Sequence, residues 1–477
     1  MVRPVCSWLF SRNVEDARDL VGGFCAGGNE VMDIFEFNDL FYEIVSLYFL
    51  NLIIILRLFY TKNFLVILVW PIGIYSIGPY ISYAYLYAPW LSNYIFPENF
   101  LEETELFTVF LILIVILDKF FHLGDVLRRY VLGRHIVSVG SSKLMRVCFY
   151  ISGLAAAFFQ IALMTQRGSI LTGNYVQSAI PSAGGDDQPI AWGVLGGLYE
   201  VFFACTVVLF IARRERSPFS KDAAFYSLVL LLRLLGGTRL ILVKELSVLL
   251  FIMVAQKRVR VFFVGLAAVA VVVLGSLVGS ARTNGGAGEF GPLSSLVYES
   301  SFAALTLNIA DNIAHDPSAY QYYRPGDVVA DLVASLVPSF IRNIFVPETK
   351  DRELNMATEA GFDTASPVGA MELFSSSIYI FLNPWVAPLL YPVLLWAIIK
   401  TRYNLKIKSY LLLSIFIESL NTWRDPFEVS LKIILQSVVV YYFVGMDWRS
   451  LFGSLRRRDG PGKLHTTELS VKNPSEG

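Results

Sequence analysis

Five arginines lie in the polar segments of an otherwise apolar chain, and their side chains are suited to binding anions. A guanidinium group can bind phosphate oxygens through two parallel hydrogen bonds. Each arginine taken alone is also typical of a solvated or lipid-facing charge. As a set around one cavity they would suit a polyanionic, membrane-bound substrate. The set is Arg239, Arg282, Arg324, Arg342 and Arg352.

Two of these arginines stand beside glycines. Arg239 ends the run Gly236-Gly237-Thr238-Arg239, and Arg282 is followed by Thr283-Asn284-Gly285-Gly286. Glycines allow backbone amides and a guanidinium to approach the same anion. At Arg282 this signal is weak by itself, since glycine-rich exits from helices are common. Arg239 begins the next predicted helix, where its guanidinium can reach either lipid phosphates or a bound pyrophosphate.

Glu372 is the candidate general base. It follows Ser366-Pro367, where the polar sequence becomes apolar again. Desolvation at such a boundary favours the neutral carboxyl, which suits a base working near neutral pH. An acid at a helix N-terminus, favoured by the helix dipole, explains the residue equally well. His315 is the single histidine of this polar segment, and a surface-loop role is its default interpretation.

The composition predicts a polytopic membrane protein. Hydrophobic residues make up 55% of the 477 residues, charged residues 16%, and the mean hydropathy is +0.56. These values lie outside the range of soluble globular proteins. The net charge is zero, so charge gives no indication of a nucleic-acid partner. The four histidines are too scattered to predict a metal cluster, and Cys148 and Cys205 fall in apolar spans, so no disulfide framework is expected.

Apolar segments long enough to cross a bilayer predict an all-α fold with about eleven (ten to twelve) transmembrane helices and one large external loop between late helices. The predicted spans are 40–57, 64–87, 104–121, 147–165, 191–211, 222–236, 239–256, 261–279, 384–400, 409–421 and 429–446. The predicted regions are an amino-terminal segment 1–38 with Met32 as an alternative start, helices within 39–279, a loop 280–371, an interfacial or re-entrant helix plus three spans within 372–446, and a disordered basic tail 447–477.

The distribution of basic residues orients these spans. One set of alternating loops, with the tail, carries twenty-five lysines and arginines, whereas the opposite loops carry eight. Basic residues accumulate on the cytoplasmic side of membrane proteins. The loop 280–371 is therefore predicted to be external.

Charged residues inside predicted spans are rare and usually functional. Lys244 and Glu245 are adjacent and point to different sides of one helix, so they are not expected to pair with each other. Arg233, Glu418 and Lys432 complete this set. Pairing between helices is the favoured interpretation, and lining of a substrate cavity is the other.

Four local features resemble the O-antigen polymerase type of oligosaccharide repeat-unit polymerase, in the GT-C-like superfamily that it shares with O-antigen ligases. They are Trp70-Pro71 through Gly78-Pro79, Gly236-Gly237-Thr238-Arg239, Arg282 at the start of the large loop, and Ser366-Pro367 leading to Glu372.

The resemblance implies a membrane glycosyltransferase of the bacterial inner membrane, with its large loop in the periplasm. It would transfer a growing glycan from undecaprenyl pyrophosphate to an incoming lipid-linked repeat unit, building O-antigen or a related surface polysaccharide. Glu372 would be the base, Arg282 a catalytic cation, and Arg239, Arg324, Arg342, Arg352 and His315 would bind pyrophosphate or glycan. No cofactor or metal is expected, and a chain-length regulator is a candidate partner.

Two other functions stay open. An O-antigen ligase has similar topology and is expected to use an external-loop histidine, for which His315 is available. A flippase or exporter of lipid-linked oligosaccharide is the second alternative. The large loop and the lack of internal repeats weigh against it.

Overall fold

The computed structural model describes residues 38–75, 97–167, 191–213, 220–235, 240–260, 385–402, 404–424 and 427–446, and within these ranges every regular element is a helix. The helices are α1 (Asn38–Tyr60), α2 (Val66–Tyr75), α3 (Pro97–Phe121), α4 (Leu123–Val131), α5 (Arg134–Gly140), α6 (Lys143–Arg167), α7 (Ala191–Ala212), α8 (Lys221–Leu235), α9 (Leu240–Ala255), α10 (Val386–Lys400), α11 (Leu405–Ile417), α12 (Ser419–Arg424) and α13 (Phe427–Val444). The amino-terminal segment 1–37, the loop 280–371 and the tail 447–477 lie outside the described residues.

Several of these helices are apolar, which fits an α-helical membrane protein. Two described segments, Glu43–Tyr60 and Lys143–Ala162, have the length and hydropathy to cross a bilayer by themselves. A third crossing is available if the bent pair Thr104–Phe121 and Leu123–Gly140 forms one span. The total of eleven spans remains a prediction from the sequence.

The basic segment between α3 and α6 is folded rather than a plain loop. It forms α4 and α5, which meet α3 at a bend of 78°. Leu127 and Val131 on α4 and Ile136 on α5 are fully buried. The basic side chains of α4 occupy its other face, so α4 is an amphipathic helix. The charge of this segment, taken alone, predicts a connecting loop instead.

A polar joint holds this bend. Asp118 accepts hydrogen bonds from the Gly124 backbone N–H at 2.7 Å and from Asn63 Nδ2 at 2.6 Å. Asn63 Oδ1 in turn accepts from the Leu65 N–H at 3.0 Å. The backbone of His122 adopts the left-handed conformation, with φ 52°, at the point where the chain changes direction. The joint thereby fixes the α1–α2 turn against the start of α4.

Late helices return to pack on early ones. Trp423 of α12 is buried and donates its indole N–H to the Leu68 carbonyl oxygen of α2 at 2.8 Å. This carbonyl lies within a turn of Pro71, where the helix lacks one backbone N–H. Phe64 stacks on Phe416 of α11, with ring centroids 5.5 Å apart. These contacts join the two ends of the described chain into one core.

A glycine lets α6 approach an aromatic cluster. A Cβ on Gly153 would lie 2.6 Å from ring atoms of both Phe202 on α7 and Phe225 on α8. Phe149, one turn before Gly153, stacks on Phe202 at 5.0 Å. Small residues at helix interfaces are the usual means of close approach in membrane proteins. Through this cluster, both α7 and α8 pack against α6.

Candidate functional site

Five charged side chains meet inside the helical bundle. Two are cations, Lys244 and Arg233, and three are carboxyl groups, Glu200, Glu245 and Glu418. They come from α7, α8, α9 and the residue that ends α11. We call these five residues the buried ionic cluster.

Lys244 is the centre of the larger half of the cluster. Its Nζ donates to Glu200 Oε2 at 2.8 Å and to both carboxyl oxygens of Glu418, at 3.0 and 2.9 Å. The side chains of Lys244 and Glu418 are each 1% exposed, and that of Glu200 is 11% exposed. All three donor positions of the ammonium therefore have carboxyl acceptors, which a buried ammonium needs to offset its lost hydration.

Arg233 and Glu245 form the second half. Arg233 Nη1 lies 2.6 Å from Glu245 Oε1, and Tyr226 donates its hydroxyl to Glu245 Oε2 at 2.7 Å. The guanidinium also lies over the Tyr199 ring, with Cζ 4.1 Å from the ring centroid. The Tyr199 hydroxyl donates to Gln160 Oε1 of α6 at 3.3 Å. This chain of contacts ties α6, α7, α8 and α9 together.

Helix register places Arg233, Lys244 and Glu245 near the ends of their helices and Glu200 near the middle of its helix. Arg233 is the third residue from the end of α8, and Lys244 and Glu245 are the fifth and sixth residues of α9. At ~1.5 Å rise per residue these positions lie within roughly 8 Å of the ends that flank residues 236–239. Glu200 is the tenth residue of α7, roughly 13 Å from its start.

Pairing between helices, the favoured interpretation of the charges inside spans, is confirmed for four residues. Lys244 and Glu245, adjacent in the chain, bind separate partners. Glu418 binds Lys244, and Arg233 binds Glu245.

Sequence reasoning missed Glu200. It stands between Tyr199 and Val201 in an apolar helix that carries no other charged residue. An isolated acidic residue about halfway along a span indicates that a cationic side chain of a neighbouring helix pairs with it. Applied to α7, that rule would have added Glu200 to the set.

All seven residues of the predicted catalytic and substrate site lie outside the described residues. They are Glu372, Arg282, Arg239, Arg324, Arg342, Arg352 and His315. Arg239 comes nearest to the described chain, because it immediately precedes Leu240, the first residue of α9. Arg239 is therefore adjacent in sequence to a helix that the buried ionic cluster anchors.

No known protein family, curated protein or solved structure matches this chain. The resemblance to repeat-unit polymerases accordingly remains an expectation based on its residues.

Among the described residues, the buried ionic cluster is the candidate functional site. Within the described ranges, no three His, Cys, Asp or Glu side chains are grouped so that they could hold a metal ion. The cluster instead offers fixed charge and hydrogen-bonded carboxyl groups within a helical core. Such a set can anchor helices, set the local potential and exchange a proton.

Proposed function

We propose that this protein is a polymerase that joins polyprenyl-pyrophosphate-linked oligosaccharide repeat units at the external face of a bacterial inner membrane. The proposed donor is a glycan on undecaprenyl pyrophosphate, and the acceptor is a hydroxyl group of the next lipid-linked unit. The bond between the anomeric carbon and the pyrophosphate oxygen breaks as the glycosidic bond forms. The acceptor proton passes to the base, and polyprenyl pyrophosphate leaves.

Pyrophosphate is a good leaving group, so the reaction needs stabilisation of negative charge more than a strong acid. Guanidinium groups at a water-poor membrane face can supply that stabilisation without a metal ion. In this proposal Arg282 faces the departing pyrophosphate, and Arg239, Arg324, Arg342, Arg352 and His315 bind the pyrophosphate or glycan. Glu372 takes the proton of the acceptor hydroxyl.

The observation that carries the proposal is the position of the buried ionic cluster relative to residues 236–239. The Arg233–Glu245 contact, at 2.6 Å, joins the two helices that flank this segment. The Lys244 contacts join α9 to α7 and to Glu418 at the end of α11. Such anchoring supports a role for Arg239 as a fixed cation, because a group binds its ligand most effectively when the helix that carries it is held rigidly.

Helix directions also support an external site. The charge count assigns the start of α7, the end of α8 and the start of α9 to the external side. Arg233, near the end of α8, and Lys244, near the start of α9, lie close to those ends, whereas Glu200 lies near the middle of α7. The contact between Arg233 and Glu245 agrees with α8 and α9 running in opposite directions, as the predicted topology requires.

Glycan length in a deletion strain tests the function. Complementation with Arg282→Ala or Glu372→Ala is expected to leave single repeat units, with the protein still in the membrane. Arg129→Ala is the control, because Arg129 is exposed on α4, in the basic segment that the charge count assigns to the cytoplasm. Wild-type ladders from both site variants would refute the site assignment.

The same strain separates polymerase from ligase and flippase. Loss of a ligase leaves long polymer on the carrier lipid, and His315→Ala would then be the damaging change. Loss of a flippase leaves repeat units facing the cytoplasm. Either outcome in the deletion strain would replace the polymerase proposal.

Topology is tested by labelling. Gly326→Cys, in a cysteine-free background, is expected to react in intact spheroplasts with a maleimide that cannot cross the membrane. Labelling that requires lysis of the spheroplasts would place the loop in the cytosol and contradict an external reaction.

A further inference from the structure

We propose that a polar cavity beside the joint of α3 and α4 binds the headgroup of a phospholipid that carries a primary ammonium group, as phosphatidylethanolamine does. Cationic side chains of the cavity bind the phosphate, a carboxylate accepts hydrogen bonds from the ammonium group, and the acyl chains lie against α1 and α3. This site is separate from the seven residues proposed for glycan transfer. It would stand if that function were disproved.

The cavity has the size and the lining of a site for a small polar group. Its volume is about 210 Å³, and every side chain that lines it is polar. A single bound water needs only ~10–15 Å³ of such space, so the cavity accommodates a larger ligand. The side chains around it include those of Lys62, Asn63, Asp118, His122, Asp125 and Arg128.

The cavity lies where two apolar helical segments end. Glu43–Tyr60 of α1 has the length and hydropathy to cross a bilayer, and Thr104–Phe121 of α3 is the first half of the bent pair. The hydrogen bond from Asn63 to Asp118, at 2.6 Å, holds the two ends at one level. The chain then turns by 78° into α4. A cavity at the shared end of two apolar segments lies at the membrane–water boundary, where lipid headgroups are found.

Exposed apolar stripes run along both helices to this level. Residues three or four apart share one face of a helix. The stripe on α1 is Phe49, Ile53, Leu56 and Tyr60, and that on α3 is Ile112, Ile116 and Phe120. Tyr60 and Phe120 end the stripes beside the cavity, as aromatic side chains do at a membrane interface. Acyl chains can therefore cover the stripes while their headgroup occupies the cavity.

The charges of the cavity match those of a zwitterion. Lys62 and Arg128 supply two cations, and they make no ion pair within the described ranges. Asp118 and Asp125 supply two carboxylates. Both oxygens of Asp118 already accept hydrogen bonds within the polar joint. Asp125 is exposed on the first turn of α4, and it is the carboxylate open to a ligand.

A phosphodiester joined to a primary ammonium group satisfies both signs of charge at once. Lysine and arginine bind phosphate oxygens, and a primary ammonium group donates up to three hydrogen bonds to acceptors such as a carboxylate. The choline group of phosphatidylcholine has the same charge but no N–H to donate. The glycerol group of phosphatidylglycerol has no positive charge. The cavity therefore predicts a preference for phosphatidylethanolamine over both.

Lipid titration of the full-length protein, followed by native mass spectrometry, tests this preference. The three phospholipids, with identical acyl chains, are added separately to the delipidated protein in detergent. Phosphatidylethanolamine is expected to bind about tenfold more tightly than phosphatidylcholine, since one hydrogen bond to a charged group is worth about that ratio. Equal binding of these two lipids, or tighter binding of phosphatidylglycerol, would overturn the proposal.

Variants separate the two halves of the headgroup. Lys62→Gln and Arg128→Gln should weaken the binding of phosphatidylethanolamine and phosphatidylcholine alike, because each removes a phosphate contact. Asp125→Asn should abolish the preference for phosphatidylethanolamine while phosphatidylcholine binds at least as tightly as before. Arg129→Gln is the matched control, since Arg129 is exposed on the same helix but does not line the cavity, and it should bind as the wild type does. A preference that survives Asp125→Asn would contradict the proposed recognition.

Glycerophosphoethanolamine, which has the headgroup but no acyl chains, distinguishes a lipid site from a site for a soluble phosphate ester. It should displace the bound lipid only at far higher concentration than the lipid itself requires. Displacement at equal concentration would mean that the stripes on α1 and α3 contribute nothing, and it would overturn the lipid assignment. The wild-type comparison of the three phospholipids decides the matter by itself if a variant does not fold.

Discussion

Lys244 and Glu418 are 174 residues apart in the chain, yet Lys244 Nζ lies 2.9 Å from Glu418 Oε2 in the interior of the bundle. Neither side chain is more than 1% exposed. The contact joins α9 to the junction of α11 and α12. It makes the late helices part of the same charged core as the helices on either side of residues 236–239.

Removing the cation should be strongly destabilising. Lys244→Met leaves Glu200 and Glu418 buried without their ammonium partner, and breaking a buried pair from one side costs about 3–5 kcal/mol. The melting temperature of the purified protein in detergent measures the loss. Lys119→Met, at an exposed position on α3, is the control and should change little. Equal melting temperatures for the two variants would contradict the anchoring role.

Arg233 and Glu245 should be energetically coupled. Each single change, Arg233→Met or Glu245→Gln, removes one side of this contact and leaves the other charge buried. The double variant removes both charges, so its loss should be smaller than the sum of the single losses, with a coupling of about 0.5–3 kcal/mol. Melting curves of the wild type, both single variants and the double variant provide the cycle. Strict additivity would mean that the 2.6 Å contact contributes no coupling.

The joint at Gly124 should not tolerate a methyl group. A Cβ there would lie 1.9 Å from Asn63 Oδ1, within the hydrogen-bonded joint to Asp118. Gly124→Ala should therefore lower the melting temperature. Gly197→Ala is the matched control, because a Cβ at Gly197 meets no described heavy atom within 4 Å, and the change should be neutral or stabilising by up to ~1 kcal/mol. Tolerance of both substitutions would mean that the joint is looser than its contacts imply.

Trp423, which is buried, and Trp396, which is half-buried, should respond differently to loss of the indole N–H. Trp423→Phe removes the hydrogen bond to the Leu68 carbonyl oxygen and should cost about 1 kcal/mol or more. The Trp396 indole N–H is buried and has no hydrogen-bond partner among the described residues. Trp396→Phe should therefore be closer to neutral in the same melting assay. A larger loss at Trp396 would contradict this assignment.

The residues show why some features could be predicted and others could not. Hydropathy located α7 and α9 almost to the residue, because their apolar runs are long and end in charged or glycine-containing sequence. It missed α4, since a short amphipathic helix has a low mean hydropathy. Pairing between helices could be predicted from the scarcity of charges in spans. The choice of Glu418 as a partner for Lys244 could not, because no local pattern links residues so distant in the chain.

The central proposal is tested most directly by reconstitution. The purified full-length protein in proteoliposomes would receive undecaprenyl-pyrophosphate-linked single repeat units as its sole substrate, with a chelator present. The account predicts a ladder of longer lipid-linked glycans and release of undecaprenyl pyrophosphate, and loss of both with Arg282→Ala. Repeat units that stay single with the wild-type protein, under conditions where it is folded, would contradict the account.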